Sequence, residues 1–216
     1  MDTRVTIVSG KKSILNHFMH ELRDENIQKD RMRFRYNLQR VGEVIAYEIS
    51  KELEYESEQV ITPLGELEID LLTEQPVLVS ILRAGVPFHE GFLRIFDKAD
   101  NGFIGAYRRT TKGNDFIIKV EYASTPDLTG RTLILVDPMI ATGKSLVHSY
   151  RELVQDMSPG RVFIAGVVGS EEGIEYALRH IPQARVFLGA MDNELTAKSY
   201  IVPGLGDAGD LAYGSK

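Results

Sequence analysis

The sequence predicts an α/β fold in which helices cover both faces of a parallel sheet. Five runs are continuously apolar: "PVLVSIL" (76–82), "GFIGAY" (102–107), "TLILVD" (132–137), "RVFIAGVVG" (161–169) and "RVFLGAMD" (185–192). Strands buried on both faces read this way, whereas a half-exposed sheet alternates apolar and polar residues. Helical segments stand between most of the runs, and parallel neighbours need such crossovers. The length of 216 residues, with 43% apolar and 26% charged, suits one compact domain, 1–216, and disfavours disorder.

In chain order, Ile14, Leu15, Phe18 and Leu22 mark a short helix with Ser13 as its cap. A long helix begins after Asp30, a good N-cap residue. Its apolar stripe runs Phe34, Leu38, Val41, Ile45, Ile49 and Leu53 at spacings of three and four. The segment "VITPLGELEID" (60–70) carries Pro63 and Gly65 and reads as an extended arm with a turn. Together these form an N-terminal part, 1–75. The α/β core, 76–198, adds helices at Pro87–Phe96, Lys144–Met157 and Glu171–His180. Within it, Thr110–Asp127 is polar, contains Gly113, Asn114 and Pro126, and reads as a flap or a hairpin. The tail, 199–216, is dense in glycine and proline without a helical period, and chain ends of this kind commonly fray. Ligands of open parallel sheets lie beyond the carboxyl ends of the strands, so the loops after Ile81, Tyr107, Val136 and Ala190 matter most.

Composition narrows the function classes. A formal net charge of −6 argues against a nucleic-acid partner. The absence of cysteine removes disulfides, thiolate metal sites and cysteine nucleophiles. The start "MDTRVTIVSGKKS" lacks the apolar stretch of a signal peptide, and no run has the length of a membrane span. A cytoplasmic protein without a membrane partner is expected.

The chemistry concentrates in "VDPMIATGKSL" (136–146). Its Gly-Lys-Ser ending is shared with the P-loop of nucleoside triphosphatases, but the first P-loop glycine would fall on Pro138, which lacks an N–H and cannot adopt positive φ. Another arrangement fits better. An apolar strand ends at Val136, Asp137 stands at its carboxyl end, and Ala141 to Ser145 lead into a helix whose first amides and dipole favour a phosphate. The Thr142 and Ser145 hydroxyls add donors, and the Asp137 carboxylate suits ribose hydroxyls. A bare Thr-Gly would be no more than a turn before a helix. Phosphate and ribose together suggest a phosphoribosyl group.

The whole string resembles the phosphoribosyl pyrophosphate (PRPP) loop of type I phosphoribosyltransferases, and its Asp-Pro-Met-x-Ala-Thr-Gly form resembles the uracil phosphoribosyltransferase branch. "SILRAGVPFHEGF" (80–92) resembles that family's pyrophosphate loop, "AYRR" (106–109) its Tyr-Arg segment, and "YIVPGLGDAGDLAYG" (200–214) its uracil-binding tail. "RMRFRYNLQRVGEVIAYE" (31–48) is similar to the family less specifically. The resemblance implies a type I phosphoribosyltransferase fold with N-terminal helices, an extended arm and flap, and a C-terminal base-binding segment. It implies transfer of the phosphoribosyl group of PRPP to uracil, giving UMP and pyrophosphate.

By that resemblance Asp137, Pro138, Met139, Ile140, Ala141, Thr142, Gly143, Lys144 and Ser145 hold the ribose and 5′-phosphate. Arg83 and Arg108 face pyrophosphate, and Asp207 reaches the PRPP end. Asp137, Arg108 and Asp207 are the catalytic candidates. Ile201, Gly206, Asp207 and Ala208 contact uracil, largely through main-chain groups. Mg²⁺ is expected to arrive with PRPP, without a protein metal site of its own. Uracil and PRPP are the implied partners, in a homodimer or homotetramer.

Departures from the family stand beside these matches. Lys144 replaces a glycine usual in this branch, and either touches phosphate or points into solvent. The flap lacks the Tyr-Tyr-x-Lys-Leu-Pro pattern, with Tyr122 as a stand-in for one tyrosine. His17 and His20 read as a helix surface, and His89 and His148 as neighbours of the functional loops. Arg31, Arg33, Arg35 and Arg40 are a solvated helix face or, more sharply, a subunit interface or a GTP effector site. The alternatives are an RNA-binding pyrimidine-operon regulator on the same fold and a catalytically impaired relative. Deleting Ser199–Lys216 is expected to abolish uracil use while most of the core stays folded.

Overall fold

The computed structural model describes the backbone of residues 2–110 and 116–215, with their side chains outside 106–110 and 116–121. The chain opens with a short strand, β1 (Val5–Ile7), and helices α1 (Leu15–Arg23) and α2 (Arg31–Ser50). Strands β2 (Tyr55–Thr62) and β3 (Gly65–Leu72) follow, then β4 (Val77–Leu82), α3 (Gly85–Leu93), β5 (Asp100–Thr110), β6 (Phe116–Ser124), β7 (Thr132–Val136) and β8 (Met139–Ile140). The rest is α4 (Lys144–Leu153), β9 (Arg161–Ser170), α5 (Glu171–His180), β10 (Ala184–Asp192), β11 (Glu194–Leu195), β12 (Ile201–Val202) and α6 (Ala208–Tyr213).

The central sheet has the order β1-β10-β9-β7-β4-β5-β6, with β8 added beside β9. All its pairings are parallel except that of β5 with β6. The order explains where a ligand must sit. From β4 the chain crosses by α3 to β5 on one side, then returns to β7 on the other and continues through α4 to β9. The connections therefore diverge between β4 and β7, which opens a crevice at their carboxyl ends.

Burial follows the strand period of two. On one face Leu78, Ile134, Val136, Phe163 and Phe187 pack against α1, α2 and α3. On the other, Val77, Val79, Leu133, Leu135, Ile164 and Val186 pack against α4 and α5. The predicted stripe of α2 is real: Phe34, Leu38, Val41, Ile45 and Ile49 are at most 1% exposed. Asp30 caps this helix, its Oδ1 accepting from the amides of Met32 (3.0 Å) and Arg33 (3.1 Å). Leu53 lies past the helix end and still packs on the core.

Several local expectations are corrected. Ser13 does not cap α1: the N-cap is Ile14 with no side-chain cap, and the Ser13 amide donates to Asn16 Oδ1 at 3.3 Å. Helix α3 begins at Gly85, not Pro87. Proline is tolerated there because first-turn amides have no intrahelical acceptor. Helix α4 stops at Leu153, short of Met157, whose sulfur instead accepts from the Leu128 amide. The segment after Thr110 is the hairpin alternative, with β6 antiparallel to β5. Its tip, with Gly113 and Asn114, lies outside the described residues. Tyr122 is an exposed residue of β6.

The arm is an antiparallel hairpin, β2 with β3, separate from the central sheet and largely exposed. The tail is not frayed. Ile201, Leu205, Ala208 and Ala212 are at most 4% exposed and belong to the core against α2. Burying an Ile or Leu side chain is worth about 1.5–3 kcal/mol. Deleting Ser199–Lys216 would thus remove core residues that pack against α2 as well as the tail itself, so loss of activity on deletion would not by itself separate function from stability. Among the described residues, no helix is long and apolar enough to cross a membrane.

Candidate functional site

A cleft of about 760 Å³ opens where the sheet connections diverge. Its walls come from four stretches of the chain: Ile81–Ala84 at the end of β4, Asp137–Met139 and Ala141 after β7, Ala197–Tyr200 before β12, and Gly206–Asp210 of the tail. A smaller hollow of about 30 Å³ continues from it along Asp137, Met139–Gly143 and Ser145.

The loop after β7 is stitched to its neighbours. The Asp137 amide donates to Ala165 O at 3.0 Å, and Pro138 O accepts from the amides of Val167 and Val168, both at 3.0 Å. Met139 and Ile140 form β8, so this stretch is part strand and not wholly loop. Asp137 Oδ1 also accepts from the Met139 amide at 3.3 Å. Gly143 then turns the chain into α4 with φ +70°, and no side chain caps the helix. A left-handed residue there favours glycine. A Cβ would also stand 2.4 Å from Gly173 O. The first amides of α4 therefore point to the hollow without a side-chain acceptor, the arrangement that binds a phosphate.

Ser170, at the end of β9, braces this loop. Its Oγ donates to Ala141 O at 2.5 Å and accepts from the Gly173 amide at 2.9 Å, while being 1% exposed. Lys144 is exposed in the first turn of α4.

Across the cleft, Arg83 follows β4. Its Nη2 lies 3.6 Å from Asp210 Oδ1 and 3.5 Å from Gly214 O, so it links the loop after β4 to the tail. Arg108 is on β5 by its backbone pairing with Ile118. Its side chain, and any part it plays in the site, lies outside the described residues. Asp207 is exposed on the cleft wall and caps α6, its Oδ1 accepting from the Asp210 amide at 3.0 Å. Gly206 and Ala208 flank it on the wall. Ile201 is different: its side chain is 4% exposed and sits in the core, so a base contact would use its main chain.

The structure thus brings Arg83, Asp137–Met139, Ala141 and Gly206–Ala208 to one cleft, with Ile140, Thr142, Gly143 and Ser145 on the adjoining hollow and Lys144 lining neither. The arginines of α2 are placed otherwise. Arg33 pairs with Glu21, and its guanidinium, with the Asn37 amide, holds that carboxyl below its ordinary range. Arg35 donates to Ala212 O at 2.7 Å, tying down the tail. Arg40 donates to Asn37 Oδ1 and lies over the Phe18 ring. Arg31 is exposed. His17 and His20 are exposed on α1, and the described residues hold no group of three or more metal-ligating side chains. His89 is buried, and burial holds its imidazole below the ordinary range, against Asn101 and Glu90.

Sequence reasoning missed Ser170, Arg23 and Asp192. Asp192 ends β10 and is 8% exposed. It receives Arg23 in a two-pronged pair, 2.9 and 3.0 Å, and the Gly204 amide at 2.8 Å. A usable signal existed for two of them. Ser170 and Asp192 are polar residues ending apolar strands, as Asp137 is, and they face each other in the β9–β10 register.

Known proteins share this architecture. The sequence model of the family "Uracil phosphoribosyltransferase" matches residues 8–215. A protein of Porphyromonas gingivalis named uracil phosphoribosyltransferase is 46% identical over 210 residues, 97% of each chain. One of the same name from Pyrococcus furiosus is 38% identical, covering 90% of this chain and 83% of the relative. The solved structure of the AQ2163 protein from Aquifex aeolicus superposes with a TM-score of 0.86 at 30% identity, covering 98% of this chain and 99% of that one. The family match at residues 8–215 spans the phosphate loop, the flanking walls and the tail, and with relatives this similar the chain belongs to the uracil phosphoribosyltransferase family.

Proposed function

We propose that this protein transfers the phosphoribosyl group of PRPP to uracil, giving UMP and pyrophosphate, in pyrimidine salvage. The observation that carries the reading is the cleft in which Asp137–Met139, Arg83 and the glycine-rich tail lie together, with the hollow at the start of α4 adjoining it, in a chain whose relatives bear the name of this enzyme.

The bond between the anomeric carbon and the pyrophosphate oxygen breaks, and a bond to uracil N1 forms as N1 loses its proton. Holding both reactants in line supplies much of the acceleration. The α4 amides with Thr142 and Ser145 would take the 5′-phosphate, and Asp137 the ribose hydroxyls. Arg83 would receive pyrophosphate, a role that suits a guanidinium. Main-chain groups of Gly206 to Ala208 would read the acceptor–donor–acceptor edge of uracil. Cytosine would oppose a donor to a donor there, leaving buried polar groups unpaired.

Mg²⁺ fits as a companion of PRPP. Asp137, Asp207 and Asp210 line the cleft singly, and the described residues offer no cage of three ligands. That donor set suits an ion held mainly by phosphates and water, which would neutralise charge on the leaving group.

Labelled uracil with PRPP and Mg²⁺ should yield UMP, and cytosine, hypoxanthine and orotate should not react appreciably. Absence of UMP, or preference for another base, sinks the reading. The same assay with and without GTP tests an effector. Because Arg33, Arg35 and Arg40 are already engaged within the chain, activation through them would require these contacts to exchange.

A homodimer or homotetramer is part of the proposal. Leu64 at the arm tip is fully exposed and Ile61 81% exposed, with Leu67 and Ile69 about half exposed. A two-stranded ribbon that exposes large apolar side chains is a liability unless covered, and closed symmetric assemblies are the common solution. Light scattering should report at least twice 24.2 kDa, and a monomer at micromolar concentration contradicts the assembly.

Ser170→Ala should raise the KM for PRPP about tenfold and leave the KM for uracil nearly unchanged. The change orphans Ala141 O on the phosphate loop and the Gly173 amide in the first turn of α5, which Ser170 caps, a penalty of about 1–3 kcal/mol. Steady-state kinetics with each substrate varied reads the difference, and an unchanged KM for PRPP removes Ser170 from that role.

A further inference from the structure

We infer that Arg23 and Asp192 are positioning residues for the base: together they clamp the turn at Gly204 so that Gly206 to Ala208 stand ready to read uracil before it arrives. The inference rests on the tail being the base site, as proposed above.

The tail lacks the usual means of holding a backbone still. Between β12 and α6 it has no regular hydrogen-bond ladder, and Gly204 and Gly206 both adopt positive φ, +57° and +88°. Freedom of that kind must be lost on binding unless the segment is already fixed, and pre-fixing is what strengthens recognition. Asp192 does the fixing. One of its oxygens, Oδ2, accepts from the Gly204 amide at 2.8 Å and from Arg23 Nη1 at 2.9 Å; Oδ1 accepts from Arg23 Nη2 at 3.0 Å. Arg23 Nη1 in turn donates to Gly204 O at 3.0 Å. Both polar groups of one peptide residue are thus held by a single ion pair. The pair is itself anchored, because Asp192 ends a central strand and Arg23 ends α1. The pair is also sheltered, with Asp192 8% and Arg23 23% exposed at the side chain. Gln28 Nε2 donates to Arg23 O at 3.0 Å, and Gln28 Oε1 lies beside Gly206, 3.8 Å from where a Cβ would be.

Lysine cannot replace this arginine fully. A guanidinium reaches two carboxylate oxygens and a carbonyl from one plane, whereas an ammonium is a point charge.

The test uses the full chain with Arg23→Lys, Arg23→Met and Asp192→Ala. Arg185→Gln serves as the control, since it breaks the pair with Glu52 near the opposite end of the same strand. Misplacement of a binding group by about 1 Å costs up to a hundredfold, so the KM for uracil should rise about ten- to a hundredfold in Arg23→Met and Asp192→Ala. Arg23→Lys should fall between these and the parent. PRPP affinity by titration calorimetry should fall clearly less than uracil affinity, because Asp137 to Ser145 are untouched and only Asp207 of the moved segment faces PRPP, and discrimination against cytosine should fall. Hydrogen exchange at the Gly204 amide should be slow in the parent and faster in the variants.

An unchanged KM for uracil, or a loss of PRPP affinity equal to the loss for uracil, overturns the inference. If Arg23→Met or Asp192→Ala fails to fold, Arg23→Lys decides by the same two constants. A parent that forms no UMP sinks the proposed reaction and the base-positioning role with it. A parent that forms UMP, with Gly204 exchange and uracil KM unmoved in the variants, sinks the clamp alone.

Discussion

Asp137→Asn is expected to lower turnover roughly ten- to a hundredfold while the protein stays folded. Asparagine keeps the shape and one carbonyl oxygen, so the contact from the Met139 amide survives. The backbone anchor to Ala165 O is not touched by the change. What goes is the negative charge at the mouth of β7, where both the cleft and the phosphate hollow meet. Charge-assisted hydrogen bonds are worth about 1.5–3 kcal/mol, and ribose hydroxyls are the expected partners. Circular dichroism should match the parent, and kcat for UMP formation should not. Parent-like kinetics would remove Asp137 from the site.

Gly206→Val should have the larger effect on the base, suppressing uracil turnover by about a hundredfold or more. Within the protein a Cβ at Gly206 would meet Leu211 and Gln28 only at 3.7 and 3.8 Å, ordinary contact distances. The obstacle is φ at +88°, a conformation very unfavourable for a β-branched residue and costing on the order of 1–3 kcal/mol. The chain would relieve that strain by turning Gly206 to Ala208 away from the cleft. Gly206→Ala should lie between parent and Val. Measuring uracil and PRPP constants for both variants separates a bent base site from a damaged phosphate site. A folded Gly206→Val with parental uracil turnover would take the tail out of base recognition.

The sequence by itself determined a great deal. Apolar runs gave the strands because a strand buried on both faces has no polar side. The stripe of α2 and its Asp30 cap were legible because both are local rules of helix geometry. The site motifs, Asp137 to Ser145 and Gly204 to Asp210, were legible because phosphate cradles and tight backbone turns demand particular residue types in short order. Local capping was less secure: Ile14 stands at the N-cap of α1 and no side chain caps that helix.

Only the tertiary structure decided what depends on contacts between distant residues. It showed that Arg35 ties the tail by Ala212 O, that the glycine-rich end is held by Ile201, Leu205 and Ala212 in the core, and that deletion of the tail is therefore a poor probe of function. It also brought Arg23 to Asp192 across 169 residues and Ser170 to Ala141 across 29. No periodicity or spacing announces such pairs. A lone arginine at a helix end, or an aspartate at a strand end, acquires its partner only when the sheet order and helix packing place the two side chains within reach, and that placement is set by burial of the whole core.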